Sequence, residues 1–276
     1  MSRFSLNQAT IKYAGLEEAV RVTVDAGIES IGLWREPVAE FGLAASAALV
    51  RDAGLRVSSL CRGGFFTGPD LATSLDDNRR AIEETAALGA PTLVLVAGGL
   101  PDGSRDLVGA RERVRDAIGA LEGDARAAGI SLAIEALHPM YVTDRAVVST
   151  LGQALDIAEQ FDARAVGVVV DTFHVFWDPQ VLDQIARAGA GGRIASYQVC
   201  DWTMPIAADP LLSRGYPGDG HIDFESLTEA VVAAGYTGDI ECEIFNQEIW
   251  DAPYPEVVRL SHAAFERVVA PHLGLQ

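Results

Sequence analysis

Eight times along the chain, a short run rich in β-branched and apolar residues gives way to a longer stretch with helical spacing of its apolar residues. That alternation restricts the fold more than any other feature. The strand-like runs are Phe4–Ala9, Ser30–Trp34, Arg56–Cys61, Thr92–Ala97, Ser131–Glu135, Ala165–Asp171, Arg193–Cys200 and Asp239–Phe245. The helical stretches are Leu16–Ala26, Leu43–Ala53, Asp76–Leu88, Arg105–Ala128, Thr150–Gln160, Gln180–Ala188, Phe224–Ala234 and Val257–Val269. Gly54, Gly89, Gly129 and Gly235 stand just past four of these, where a left-handed residue ends a helix. Strict β-then-α order implies parallel strands joined by crossover helices. Val166-Gly167-Val168-Val169-Val170 is apolar without alternation, as in a strand buried on both faces. Eight units predict a closed (β/α)8 barrel, a TIM barrel in the α/β class, formed as one domain over residues 1–276. The competing architecture, a doubly wound sheet, lacks support, since no G-x-G-x-x-G follows the first strand.

Composition narrows the function. Asp and Glu number 39 against 21 Lys and Arg, a net charge of −18, so a basic face for nucleic acid is not expected. Lys12 is the only lysine and sits near the N-terminus, which argues against Schiff-base chemistry. Cys61, Cys200 and Cys242 lie far apart in apolar runs and read as buried reduced thiols. There is no signal-peptide pattern and no apolar segment of membrane-spanning length, so the expected location is the cytoplasm.

In such a barrel the chemistry sits where the strands end. Glu135 and Asp171 each close an apolar strand and are expected to point into the barrel mouth. A carboxylate buried there must be paired, protonated or bound to a cation. With no lysine at hand and the arginines mostly in helices, a metal is the expected partner. Glu241 and Glu243 share one strand face, and Glu243, nearer the C-terminal end, is the one expected to reach the site. His174 follows Asp171 by three positions and suits a substrate contact beside it. His138-Pro139 serves equally as a turn, and Gln198 on its own reads as a local hydrogen-bonder. Arg62 with Gly63-Gly64 at the end of the third strand suits recognition of hydroxyls. The stretch from Arg214 to Asp223 forms a long loop of the kind that often carries function, with Asp223 placed as a helix N-cap.

Together these segments resemble the sugar-phosphate isomerase/epimerase family of xylose-isomerase-like barrels, and within it most of all the 2-keto-myo-inositol (inosose) isomerases. The matching stretches are Leu132–Glu135 with His138-Pro139, Val166 to His174, Pro217 to Asp223, and Gly235 to Phe245. The resemblance implies a divalent metal held by Glu135, Asp171 and Glu243, with Gln198 where the family has histidine. An all-oxygen shell of that kind favours Mn2+ or Mg2+ over Zn2+. It also implies that Glu135 and Glu243 act as the acid/base pair on the two faces of a sugar or cyclitol ketone. His174, Arg62, His138, Asp201 and Arg214 would then contact substrate, with Trp34 and Phe65 packing on its ring. The implied activity is isomerisation or epimerisation through an enediolate. A lyase or dehydratase on 3-keto sugars or 3-oxo-glycosides is the alternative, because the same enediolate can expel a leaving group. An apurinic endonuclease and a sugar-binding barrel without catalysis are weaker alternatives. No nucleic-acid or membrane partner is implied, while homo-oligomers are common in such barrels.

Overall fold

Neighbouring residues of each strand fall into two environments, and this division organises the molecule. Leu132 and Ile134, like Val166, Val168 and Val170, pack outward into the large apolar layer beneath the helices. Ala133, Val169, Val94 and Cys61 pack together inside the barrel. The structure, a computed structural model, describes residues 2–274. The strands are β1 (Phe4–Asn7), β2 (Ser30–Trp34), β3 (Arg56–Gly64), β4 (Thr92–Val96), β5 (Ser131–Glu135), β6 (Val166–Asp171), β7 (Ile194–Val199) and β8 (Ile240–Cys242). All pair in parallel, and β1 bonds to both β2 and β8, which closes the barrel. This is the (β/α)8 barrel expected from the alternation.

Three local differences have plain causes. The third strand runs on through Gly64, where a Cβ would collide with the Val96 carbonyl oxygen. The helix expected from Asp76 begins at Leu71, because the Asp70 carboxylate accepts the Thr73 amide proton and caps it there. Short helices at Arg35–Phe41, Thr172–Val175 and Gln247–Trp250 were not anticipated, each being too brief to show a period. Gly54, Gly89, Gly129 and Gly235 all have positive φ, in accord with their expected role. Asp223 caps the helix Phe224–Ala233 through the Ser226 amide. Between β7 and that helix, Asp201–Trp202 pairs antiparallel with Arg214–Gly215, folding the long loop back over the barrel mouth. No helix among the described residues is long and apolar enough to cross a membrane.

Candidate active site

The period of two carries the strand-end polar residues inward. Asp171 lies opposite Gln198 in register, and Gln198 lies opposite Glu241. Glu135, Asp171 and Glu243 are all buried, 6 %, 1 % and 4 % exposed. Glu135 and Glu243 line a chamber of about 290 Å3 together with Trp34, Arg62, Phe65, His174 and Arg214. Glu241 lies deeper, its carboxylate accepting from Asn7 Nδ2 at 2.8 Å, so Glu243 is the glutamate that reaches the mouth.

One expectation is overturned here. The carboxylates have a protein cation: Arg214, itself 2 % exposed, places Nη1 at 3.1 Å from Asp171 Oδ2 and 2.9 Å from Glu243 Oε2. It is a loop arginine, delivered by the folded-back strand pair. A metal is therefore not required merely to pair Asp171 and Glu243.

His174 is oriented by the backbone. The amide of His138 donates to His174 Nδ1 at 3.1 Å, so a neutral ring carries its proton on Nε2. That nitrogen lies 2.9 Å from Arg214 Nη2. With the proton on Nε2, these two nitrogens are both donors and do not satisfy each other. Burial, reinforced by the Arg214 charge, holds the imidazole well below its ordinary pKa and keeps it neutral.

The carboxyls shift the other way. Burial, with the charges of Asp171 and Glu243 added, pushes Glu135 well above the usual carboxylate range. Burial pushes Glu243 up to about 7 even though Arg214 opposes the shift. Asp171 is likewise raised by burial against the pull of Arg214. A carboxyl with a raised folded pKa stabilises the fold below its unfolded value, and that stability is lost as pH rises through the folded one. Neutral His174 works oppositely, but only up to its unfolded value of 6.5. Above that pH the carboxyls act alone. The metal-free protein is therefore expected to lose several degrees of Tm from pH 6.5 to 8.5, and Mn2+ to flatten the slope. A Tm in chelator that rises over this interval would contradict the assignment.

Gln198 supplies a test of metal fit. Its Oε1 and Nε2 are buried and have no hydrogen-bond partner, which overturns its reading as a local hydrogen-bonder. Ligand atoms of Glu135, Asp171 and His174 lie within 4.8 Å of one another. An unpartnered amide oxygen beside clustered carboxylates fits a hard divalent cation.

Trp34, Phe65 and Arg62 line the chamber as expected, the guanidinium of Arg62 lying 5.5 Å from the Trp34 ring and 5.0 Å from that of Phe65. Two expected substrate contacts do not. Asp201 is fully buried, and its carboxylate accepts the amides of Gly218, Gly220 and Ile222 at 2.8 to 3.0 Å. It fastens the loop that carries Arg214. Asp201→Ala would leave the buried Ile222 amide unpaired and hand the Gly218 and Gly220 amides to water, and is expected to lower unfolding stability by about 1–2 kcal/mol in urea titrations. His138 packs its ring against Trp177 and Trp202 and serves the site through its backbone amide. Sequence reasoning missed Arg145, Leu211 and Phe245, which also line the chamber. It missed Asn7 too, whose Oδ1 accepts from Trp34 Nε1 at 2.9 Å and fixes the indole. Polar Asn7 at the end of a strand was the available signal.

Comparison with known proteins agrees with this architecture. The crystal structure of protein SMc04130 from Sinorhizobium meliloti 1021 superposes with a TM-score of 0.93 at 46 % identity, covering 96 % of this chain and 98 % of that one. A 3-dehydroshikimate dehydratase of Pseudomonas putida is 27 % identical over 89 % of this chain and 38 % of its own length. An inosose isomerase of Halalkalibacterium halodurans is 24 % identical over 55 % of this chain and 52 % of its own length. The chain thus spans between about two fifths and one half of these curated relatives. The family model described as xylose isomerase-like TIM barrel matches residues 20–266, and the chain belongs to that family.

Proposed function

We propose that the protein is a divalent-metal-dependent isomerase or epimerase that moves a proton next to the carbonyl of a polyhydroxylated ketone. The observation that carries this reading is one chamber lined by Glu135, Glu243, His174 and Arg214, with the buried, unpartnered Gln198 amide in register with Asp171 beneath it. Glu135, Asp171, Gln198 and Glu243 would hold Mn2+ or Mg2+, which when bound supplies Lewis acidity at the substrate carbonyl. Glu135 and Glu243 line the same chamber, so one can take the proton beside the carbonyl while the other returns one. His174 Nε2 and Arg214 Nη2 aim at one substrate oxygen and stabilise negative charge as it develops there. Trp34 and Phe65 offer apolar surface to the C–H face of a sugar ring, and Arg62 between them reaches hydroxyls.

A second reading is elimination, a lyase or dehydratase outcome of the same proton abstraction. It is favoured by the greater reach of the dehydratase relative, 89 % of this chain against 55 % for the inosose isomerase. Incubation of inososes, ketoses and 3-keto-glucosides with Mn2+ in D2O separates the two. Isomerisation leaves the skeleton's composition intact and exchanges the hydrogen beside the carbonyl for deuterium. A product lighter by water or an aglycone gives elimination, and absence of both exchange and turnover across the panel rejects the proton-transfer reading.

A further inference from the structure

Beside the reaction chamber lies a second one of about 750 Å3, more than twice its size. Trp34, Arg62, Arg145, Leu211 and Phe245 line both, so the two are immediate neighbours and share a wall of side chains. The inner chamber is at the small end for ligand pockets and suits a single ring. Nothing in the proton-transfer chemistry requires the outer one.

Its lining indicates what it takes. Trp34, Phe245 and Trp250 stand in succession edge to face, with ring centroids 5.7 and 5.6 Å apart, giving an aromatic wall. Lys12, the only lysine, holds Nζ 4.4 Å from the Trp250 ring centroid, and Glu36, Glu40 and Asp209 lie around the same chamber. Among the described residues, Lys12, Arg62, Glu36 and Glu40 take part in no ion pair, although most arginines of the chain do. Gln8, 1 % exposed, also lines this chamber, and its Nε2 has no hydrogen-bond partner. An anionic ligand would suit the cations and oppose the three carboxylates. An aryl group would cover the aromatic wall and leave Gln8 and the charged groups desolvated without partners. Hydroxyl groups both donate and accept, and so satisfy carboxylates, ammonium and amide alike, while the C–H face of a sugar packs on indole.

We propose that the outer chamber is a subsite for a second sugar ring, so that the substrate is a keto sugar joined to another sugar. The proposal rests on the keto-sugar reading above and specifies its substrate class. The test compares a 3-keto disaccharide with the matching free 3-keto sugar, in the wild type and in the double variant Lys12→Ala/Tyr13→Ala, which removes Lys12 and the exposed Tyr13 that lines the outer chamber with it, with intrinsic tryptophan fluorescence as the binding readout. The wild type is expected to favour the disaccharide about tenfold or more in kcat/KM, since remote binding energy is realised at the reacting centre. The double variant is expected to retain less than about threefold preference, having lost part of that remote contact. Equal kcat/KM for both substrates in the wild type overturns the subsite while leaving the proton-transfer reading in place. Saturable binding of the disaccharide in preference to the free sugar, with turnover of neither, supports the subsite and overturns the reaction. Neither binding nor turnover of the disaccharide overturns the proposal.

Discussion

Glu135→Gln is expected to lower kcat about a thousandfold or more, the scale on which removal of a positioned acid/base group acts. The amide fills the same space in the chamber wall but has no basic oxygen to receive a proton. The same substitution removes one of three carboxyls crowded against each other, and burial already holds Glu135 far above the ordinary range. In chelator at pH 8 the variant should therefore be at least as stable as the wild type, because a carboxyl whose ionisation burial disfavours is replaced by a neutral amide of the same shape. Loss of turnover with a constant or higher Tm separates a chemical role from a structural one. Full turnover in this variant would reject the proposed acid/base pair.

Arg214→Met is expected to have the largest effect on stability. Its guanidinium donates to Asp171, to Glu243 and to the Glu243 carbonyl oxygen, at 3.1, 2.9 and 3.3 Å. A methionine would leave the carboxylates buried with no cation, and breaking a buried pair in this way costs about 3–5 kcal/mol. The loss should be seen in the metal-free protein by chemical denaturation above pH 7 and be largely offset by Mn2+. On the proposed mechanism, catalysis should fall as well, by about a hundredfold or more in kcat/KM, since a donor that would meet the developing negative charge is gone. Arg214→Lys is not expected to rescue either property. An ammonium cannot span Asp171 and Glu243 while also facing His174, as the planar guanidinium does. A metal-free Arg214→Met protein as stable as the wild type at pH 8 would show that the carboxylates do not depend on this cation.

Much of this was legible in the sequence. The eight strands and the inward direction of Glu135, Asp171 and Glu243 follow from two periodicities and from the cost of putting a carboxylate at the end of an apolar run. The choice of Glu243 over Glu241 needed only the direction of the strand. What escaped was set by contacts between distant segments. Arg214 is 43 positions from Asp171, and its inward course depends on the pairing of Arg214–Gly215 with Asp201–Trp202. Nothing local marks it as a buried cation, so in the sequence the scarcity of lysine leaves metal as the expected partner of the carboxylates. Asp201 and His138 fell on the right loops, but a loop residue has no period to give its direction. Asp201 turned to the amides of Gly218, Gly220 and Ile222, and His138 lent its backbone amide to His174. The unpartnered amide of Gln198 is visible only when every neighbour is in place.

The strand pair that brings Arg214 in contains two residues on each side, whereas the barrel beneath it is a closed ring of eight strands. The pair's own ladder is far shorter than the ring's, and beyond it the ribbon depends on the side-chain bonds of Asp201 and Arg214, so it is expected to open at a lower free-energy cost than the ring. Gentle heating or dilute denaturant should thus peel away the guanidinium before the barrel gives way. Activity would disappear first, in a form that returns on cooling, and the ellipticity of the barrel only later. The expected thermal working limit of the protein is then that of a four-residue ribbon rather than that of its core.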